Sequence, residues 1–418
     1  MKITFLGGAG EVGRAGMLIE LENHRFILDY GIKVYEGGPA ELPLVPHKKI
    51  DEVVISHAHL DHSGFLPMIY EYHNVPWHAT SPTGPLAEML IADAMKVQEL
   101  NGFENPYSED SFNRAMDHFN GHEYGENIRM RSGPELTFYD AGHILGAAIC
   151  EFKIGKKKVV YSGDFNLTDT RMHKGASYKE DVDILITEST YSEKEHHDRK
   201  GEEEKLIKNV ERALERGGCA LVPAFAVGRS QEVIVILYEH FHDVDIYLDG
   251  MAVKASDIYL RYPEYIKNPK LLHDALHDAI IVKRPKQRKK AVRGGNIIIS
   301  PAGMLSGGNA LWYLNNLPPH SSVTLTGYCE EGTNGWMLIN KGYILKDGKE
   351  KRFDYYVEQV DLSAHAGRKD LWEFIKRTNP EFIIAIHGDH CYTFADELND
   401  AGFTAIAPRN GETIPIKL

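Results

Sequence analysis

From residue 17 to 22 the chain alternates apolar and polar positions at period two, turns at Asn23-His24, and runs on through 25–30, which predicts a β-meander at the start of the chain. Val53-Val54-Ile55-Ser56 reads as a buried strand, Gly64 to Tyr70 as the start of a helix, and 158–162 and 184–187 as strands that each run into an acidic residue. A charge-dense stretch from Glu193 to Lys205 predicts a solvated connection into an amphipathic helix over 203–216; His196 and His197 within it are read as having no metal role. Strand and helix then alternate: 219–225 with 230–241, 246–248 with 252–261, and 296–300 with 308–315. That alternation predicts a parallel-sheet domain. After about residue 350 the chain returns to strand and loop, with 382–386 running into His387, so the whole reads as an α/β protein.

Composition narrows the class. At 418 residues, with 43% hydrophobic and 26% charged positions, the chain can bury a large core, and neither a disordered nor a fibrous protein fits. Lys and Arg number 47 against 60 Asp and Glu, a net charge of −13, so any nucleic acid would have to meet a local basic surface. Cys150, Cys219, Cys329 and Cys391 form no CxxC pair; free thiols and a reducing, cytoplasmic setting are expected. No apolar run reaches the roughly 18–20 residues of a spanning helix, and Lys2-Ile3-Thr4-Phe5-Leu6 is too short for a signal sequence, so no membrane partner is expected and the mature chain should begin at or near Met1.

Gly8-Ala9-Gly10-Glu11-Val12-Gly13 matches the dinucleotide fingerprint, with Asp29 downstream at a suggestive distance. The match fails on context, because a helix should open at the third glycine and the residues from Met17 alternate as a strand instead. These glycines are expected to form a tight loop beneath the active site.

His57-Ala58-His59-Leu60-Asp61-His62 places four metal-capable side chains within six residues, directly after an apolar strand. Imidazole nitrogens and a carboxylate are natural zinc ligands, and a loop between a strand and a helix can aim alternate side chains at two ions. The competing account is a polar loop that caps a helix with Asp61, which three histidines at such spacing disfavour. Asp140-Ala141-Gly142-His143 and Ser162-Gly163-Asp164 each put one further ligand at a strand end; alone, either would be an ordinary turn residue.

Asp29, the 57–62 cluster, His143 and Asp164 resemble the four motifs of the metallo-β-lactamase fold. Thr187-Glu188-Ser189-Thr190-Tyr191, Ser363-Ala364-His365-Ala366-Gly367 and Ile386-His387-Gly388-Asp389 are similar to motifs A, B and C of its β-CASP branch. The segments 223–232, Gly303-Met304-Leu305 and 327–333 also resemble the endonuclease subunit of the eukaryotic cleavage and polyadenylation specificity factor and its archaeal relatives. The resemblance covers essentially the whole chain. It implies an αββα metallo-β-lactamase domain over 1–190 and 351–418, an inserted β-CASP α/β domain over 191–350, and catalysis in the cleft between them. No separate RNA-binding domain is expected ahead of the first strand.

Carried over, the resemblance implies two zinc ions per chain: one held by His57, His59 and His143, the other by Asp61, His62 and His387, with Asp164 bridging and Asp29 orienting a ligand histidine. A histidine at motif C, here His387, accompanies RNA substrates; the following Asp389 stands where the family usually has Glu. Two zinc ions can activate water for in-line attack on a phosphodiester. Asp61, His365 and Glu188 are then the catalytic candidates, His365 as the general acid and Glu188 as its support, with 5′-phosphate and 3′-hydroxyl products. RNA contacts are expected at Arg229, Ser306, Gly307 and Ser363, the first three at helix N-termini, and the basic run 283–290 is a further candidate.

The expected function is therefore a zinc-dependent ribonuclease, with endonucleolytic processing or decay favoured. The alternatives are a 5′-to-3′ exoribonuclease of the RNase J type, a metallo-hydrolase of a small ester or thioester, and a non-catalytic subunit. RNA is the expected partner; a homodimer and a larger RNA-processing complex are both open to the chain.

Overall fold

A computed structural model describes residues 1–35, 38–131, 133–305, 307–346 and 348–417. The chain forms two compact units, one built from 1–169, 174–195 and 364–418, the other from 170–173 and 196–363.

The first unit holds two seven-stranded sheets. In one, Lys2–Gly7, Gly16–Glu20 and Arg25–Tyr30 run antiparallel as the expected meander, and Glu52–Val54, Trp77–Thr80 and Phe119–His122 continue it in parallel; Thr413–Pro415 closes the other edge. The second sheet runs in the order Ala405–Ile406, Phe382–Ile386, Ile184–Glu188, Lys157–Tyr161, Ala148–Ile154, Glu135–Asp140, Asn127–Arg129. Period-two alternation turns Ile3, Phe5, Met17, Ile19, Phe26 and Leu28 to one face, where they share a core with Phe138, Phe152, Tyr161 and Ile186 of the second sheet. Each side chain of this size stabilises the sandwich by about 1.5–3 kcal/mol when fully buried. Helices Thr83–Leu100 and Cys391–Asp400 pack against strands of the first and second sheet respectively, giving the αββα layering.

The helix expected from Gly64 is shorter than the sequence suggests. A single α-turn, Leu60–Ser63, gives way to the 3₁₀ helix Leu66–Glu71, because Pro67 has no N–H with which to continue an α-helical ladder.

The second unit is a six-stranded sheet in the order Ile280–Ile281, Ile246–Leu248, Ile297–Ser300, Ala220–Pro223, Ser322–Leu325, Tyr356–Gln359, parallel throughout, with helices between the strands. Because Tyr356–Gln359 belongs to this sheet, the chain leaves the unit at 363/364, later than the expected 350. All four cysteines are buried and free. Among the described residues no helix is long and apolar enough to cross a membrane.

Candidate metal centre

Strand pairing brings the polar residues together. Lys157–Tyr161, Ile184–Glu188 and Phe382–Ile386 are parallel neighbours, so their C-terminal ends lie side by side and deliver Asp164, Glu188 and His387 to one edge. From the other sheet, Glu52–Val54 leads into His57, and the turn Leu60–Ser63 carries Asp61 and His62. That turn is clamped by backbone bonds, Ala15 N–H to the Asp61 carbonyl at 2.7 Å and Ile32 N–H to the Leu60 carbonyl at 2.8 Å. A Cβ at Gly31 would lie 1.8 Å from the Asp61 oxygen, so the approach requires glycine. The glycine loop 8–13 lies at the site as anticipated: the Gly8 carbonyl accepts the His387 N–H at 2.7 Å and holds His387 at φ +50°.

Among the described residues, three groups of metal-capable side chains share one carboxylate, the smallest being Asp164 with Glu188 and His365, and the other two holding four residues each. His57, His59, His143 and Asp164 form the first, and Asp61, His62, His387 and Asp164 the second, with the ligating atoms of each group within 4.8 Å of one another. In the first, His59 Nδ1 lies 3.2 Å from His57 Nε2 and 3.1 Å from His143 Nε2. Zinc–nitrogen bonds of about 2.0–2.1 Å in a tetrahedron put ligand atoms roughly 3.3 Å apart, so this spacing suits a zinc-sized ion. In the second, His62 Nε2 lies 3.3 Å from Asp164 Oδ2, and His387 Nε2 lies 3.6 Å from Asp61 Oδ2 and 3.7 Å from Asp164 Oδ1.

The protein's own groups leave the cluster unsatisfied. Nε2 of His62, Nε2 of His387 and Oδ1 of Asp164 are buried without a hydrogen bond, an arrangement that is costly unless a cation fills it. Burial, then the charge of His62, holds His57 well below the usual histidine range; burial, then His365 and His59, does the same to His143; and burial pushes His59 down to about 4. Those three therefore present neutral, lone-pair nitrogens. His62 goes the other way: although burial opposes it, Asp164 and Asp61 raise its pKa well above the ordinary value, which marks a position where the two acids demand positive charge.

Surrounding groups aim the rings. Asp29, fully buried and at φ +54°, accepts His62 Nδ1–H at 2.7 Å, the Ser56 N–H and hydroxyl at 2.7 Å each, and the Tyr161 hydroxyl at 2.7 Å. His143 Nδ1–H donates to the Ala364 carbonyl at 2.8 Å. In both rings Nε2 is left as the ligating atom. Sequence reasoning reached Asp29 but missed Ser56 and Tyr161; the available signal was their position at the ends of the strands that lead into the histidine cluster and into Asp164. Asp29→Asn is expected to weaken metal binding about 10–100-fold, as such supporting groups typically do, read by competition with a chromogenic chelator.

Beside the cluster, His365 Nδ1 faces Glu188 at 3.2 and 3.4 Å and Asp164 Oδ2 at 3.9 Å, and its ring packs on His143 with centroids 4.5 Å apart. Burial works against its charged form, but Glu188 and then Asp164 outweigh it and push the imidazole up to about 9. Glu188 is fully buried and is itself fixed by the Phe165 N–H at 2.9 Å. Asp389 is exposed, as is His390, which pairs with Glu193. His196 pairs with Asp361 at 2.9 Å and joins no ligand group.

The residues expected to touch RNA lie in the second unit. Arg229 does open the helix Arg229–His240, but its guanidinium is buried against Glu232 at 3.1 Å. The amides expected to be free for a phosphate are occupied as well: Gly228 N–H donates to the Gln231 side chain, Arg229 N–H to Val227 and Ser230 N–H to Phe225. Gly307 caps the helix Gly308–Asn316 in open space. The Ser363 carbonyl accepts Arg199 at 3.1 Å. Ser306 lies outside the described residues.

Comparison with known proteins agrees with this geometry. Residues 18–191 match the metallo-beta-lactamase superfamily domain, 230–338 the Beta-Casp domain, and 354–408 the Zn-dependent metallo-hydrolase RNA specificity domain. The chain is 37% identical to a probable RNase, MJ4, of Methanocaldococcus jannaschii over all of both chains. It belongs to the β-CASP branch of the metallo-β-lactamase superfamily. A second relative of this β-CASP protein, RNase aCSPSF2 of Saccharolobus solfataricus, is 34% identical over 99% of this chain and 85% of its own. The fold is shared with a crystal structure of a protein of unknown function from Enterococcus faecalis, with a TM-score of 0.62 and 15% identity over 99% of each chain. A metallo-hydrolase family and a buried His/Asp cluster with unsatisfied ligand atoms make this a metal-binding centre.

Proposed function

We propose that this β-CASP protein is a two-zinc ribonuclease that cuts RNA internally and leaves 5′-phosphate and 3′-hydroxyl ends. The observation that carries the reading is the pairing of two His/Asp ligand groups around Asp164 with a Glu188-backed His365 beside them. Five imidazoles among the seven ligands, three in one set and two in the other, suit zinc better than magnesium, which prefers oxygen. His57, His59 and His143 would hold one ion, Asp61, His62 and His387 the other, and Asp164 both. When bound, the ions supply Lewis acidity, acidifying water toward neutrality and offsetting charge on the reacting phosphate.

The chain's own residues do the rest. Asp29 and the Ala364 carbonyl keep two imidazoles in the ligating tautomer. Glu188 keeps the proton on His365 Nδ1, so Nε2 is the ring nitrogen positioned to donate. As water adds to phosphorus, releasing one proton to solvent, and the bond to the 3′ oxygen breaks, His365 gives its proton to that oxygen, and one 3′-hydroxyl and one 5′-phosphate result. The relatives named as RNases support RNA as the substrate. Gly307 is the remaining candidate for a backbone contact outside the metal centre, since the Ser363 N–H donates to Asp361 at 3.3 Å.

RNA labelled at either end and incubated with zinc-loaded protein is expected to yield internal fragments from both labels, and none after chelation. Release of mononucleotides from the 5′ end alone would replace internal cutting with exonuclease action. Chelator-resistant cleavage would overturn the metal mechanism.

A further inference from the structure

We infer that the basic segment 283–293 is a docking surface for the RNA backbone. Seven of its eleven residues are Lys or Arg and none is acidic, in a chain whose net charge is −13. Lys283, Arg284, Lys286, Lys289, Lys290 and Arg293 are all exposed, and among the described residues none of them pairs with a carboxylate. Cations elsewhere in the chain commonly do: Lys48 with Glu20, Lys157 with Asp183, Arg171 with Glu203.

The segment is held rigidly on its inner face. Arg288 binds Asp249 through two nitrogens at 2.6 and 3.2 Å, and Asp249 is buried and also accepts the Tyr313 hydroxyl at 2.8 Å and the Asn309 amide at 3.2 Å. Gln287 accepts the Lys283 and Arg284 N–H groups at 2.8 and 3.0 Å and donates to the Ile281 carbonyl, while Ala291 is fully buried. Lys286, Lys289 and Lys290 share the outer face of the helix Pro285–Ala291.

The lysines of that outer face repel one another. At i,i+3 and i,i+4 the repulsion is a few tenths of a kcal/mol per pair, which the favourable position of Lys289 and Lys290 in the last turn only partly offsets. Six unpaired cations held close together against their mutual repulsion form a preorganised attractor for a polyanion. The segment lacks the broad apolar face that insertion into a lipid surface requires, since Ala291 faces inward, so a soluble polyanion fits better than a membrane. RNA is the polyanion this protein's proposed chemistry acts on, and the inference rests on that reading.

The test compares zinc-loaded wild type with a K286A/K289A/K290A triple variant, using an unstructured RNA and bis(p-nitrophenyl) phosphate, a small diester with no backbone to reach the segment. At roughly 0.7 log units of salt slope per phosphate contact in single strands, the triple variant should flatten the slope of log kcat/KM against log KCl by about 2. It should also raise KM for RNA about ten- to a hundred-fold at ~0.1 M salt, with kcat and aryl diester turnover unchanged. Wild-type cleavage of RNA matched by the triple variant in KM and salt slope would overturn the docking surface alone. Loss of binding to phosphatidylglycerol vesicles with RNA kinetics intact would overturn it in favour of a membrane. Wild type that turns over the aryl diester but not RNA would overturn the ribonuclease reading itself.

Discussion

Asp164→Ala protein is expected to bind little zinc and to lose RNA cleavage by more than about a thousand-fold, because the acidification of water that bound metal supplies disappears with the ligand common to both groups. Asp164 is buried; although burial favours its neutral form, His62, His387 and His365 hold its carboxyl well below the usual range, so it is the fixed negative charge around which the site is assembled. Removing it leaves His57, His59 and His143 without a carboxylate in their group and only Asp61 in the other, and folding should be followed separately by circular dichroism so that loss of metal is not confused with loss of structure. Full zinc content with normal cleavage in the Asp164→Ala protein would show that the two groups are not organised as proposed.

His365→Ala is the second large effect, and it should separate chemistry from metal binding. Zinc content should be unchanged, since His365 lies outside the two four-residue groups and its Nδ1 is engaged by Glu188, while kcat on RNA falls about 10²–10⁴-fold. An aryl diester, whose leaving group needs little protonation, should be much less affected. The pH dependence follows in sign. His365 must carry its proton to donate it, so activity is lost as pH rises through its pKa, which Glu188 and Asp164 raise. Bound cations oppose that rise and set the alkaline limb below the value of about 9 in the metal-free centre. Glu188→Gln removes a carboxylate from Nδ1 and should move the same limb to lower pH. An equal loss on RNA and on the aryl diester in His365→Ala would remove the residue from the acid role.

What could be read in advance depended on how local each feature is. The 57–62 cluster was visible because one loop carries four of the seven ligands. Asp29, His143 and His387 carry no meaning in isolation and were recognised through family motifs; the structure joins them through hydrogen bonds and strand pairings that span most of the chain, such as Asp29 to Tyr161 and His143 to Ala364. The support around Asp29 was not legible, since Ser56 and Tyr161 look like ordinary strand-end residues until the two sheets face each other. Arg229 illustrates the opposite error: a helix start suggested backbone N–H groups aimed at a phosphate, yet those of Gly228, Arg229 and Ser230 already donate to Gln231, Val227 and Phe225. The passage between units at 363/364 was hidden by the composition of Tyr356–Gln359, a half-exposed edge strand that reads as a returning loop. The helix Thr83–Leu100 went unremarked because its buried positions, Leu86, Ala87, Leu90 and Ile91, occupy only its first half.

The most direct measurement is anomalous diffraction at the zinc edge from crystals of zinc-loaded protein. The account predicts two peaks per chain, one among His57, His59 and His143 and one among Asp61, His62 and His387, both within bonding distance of Asp164. A single peak elsewhere, or density for water alone between those side chains, would contradict it.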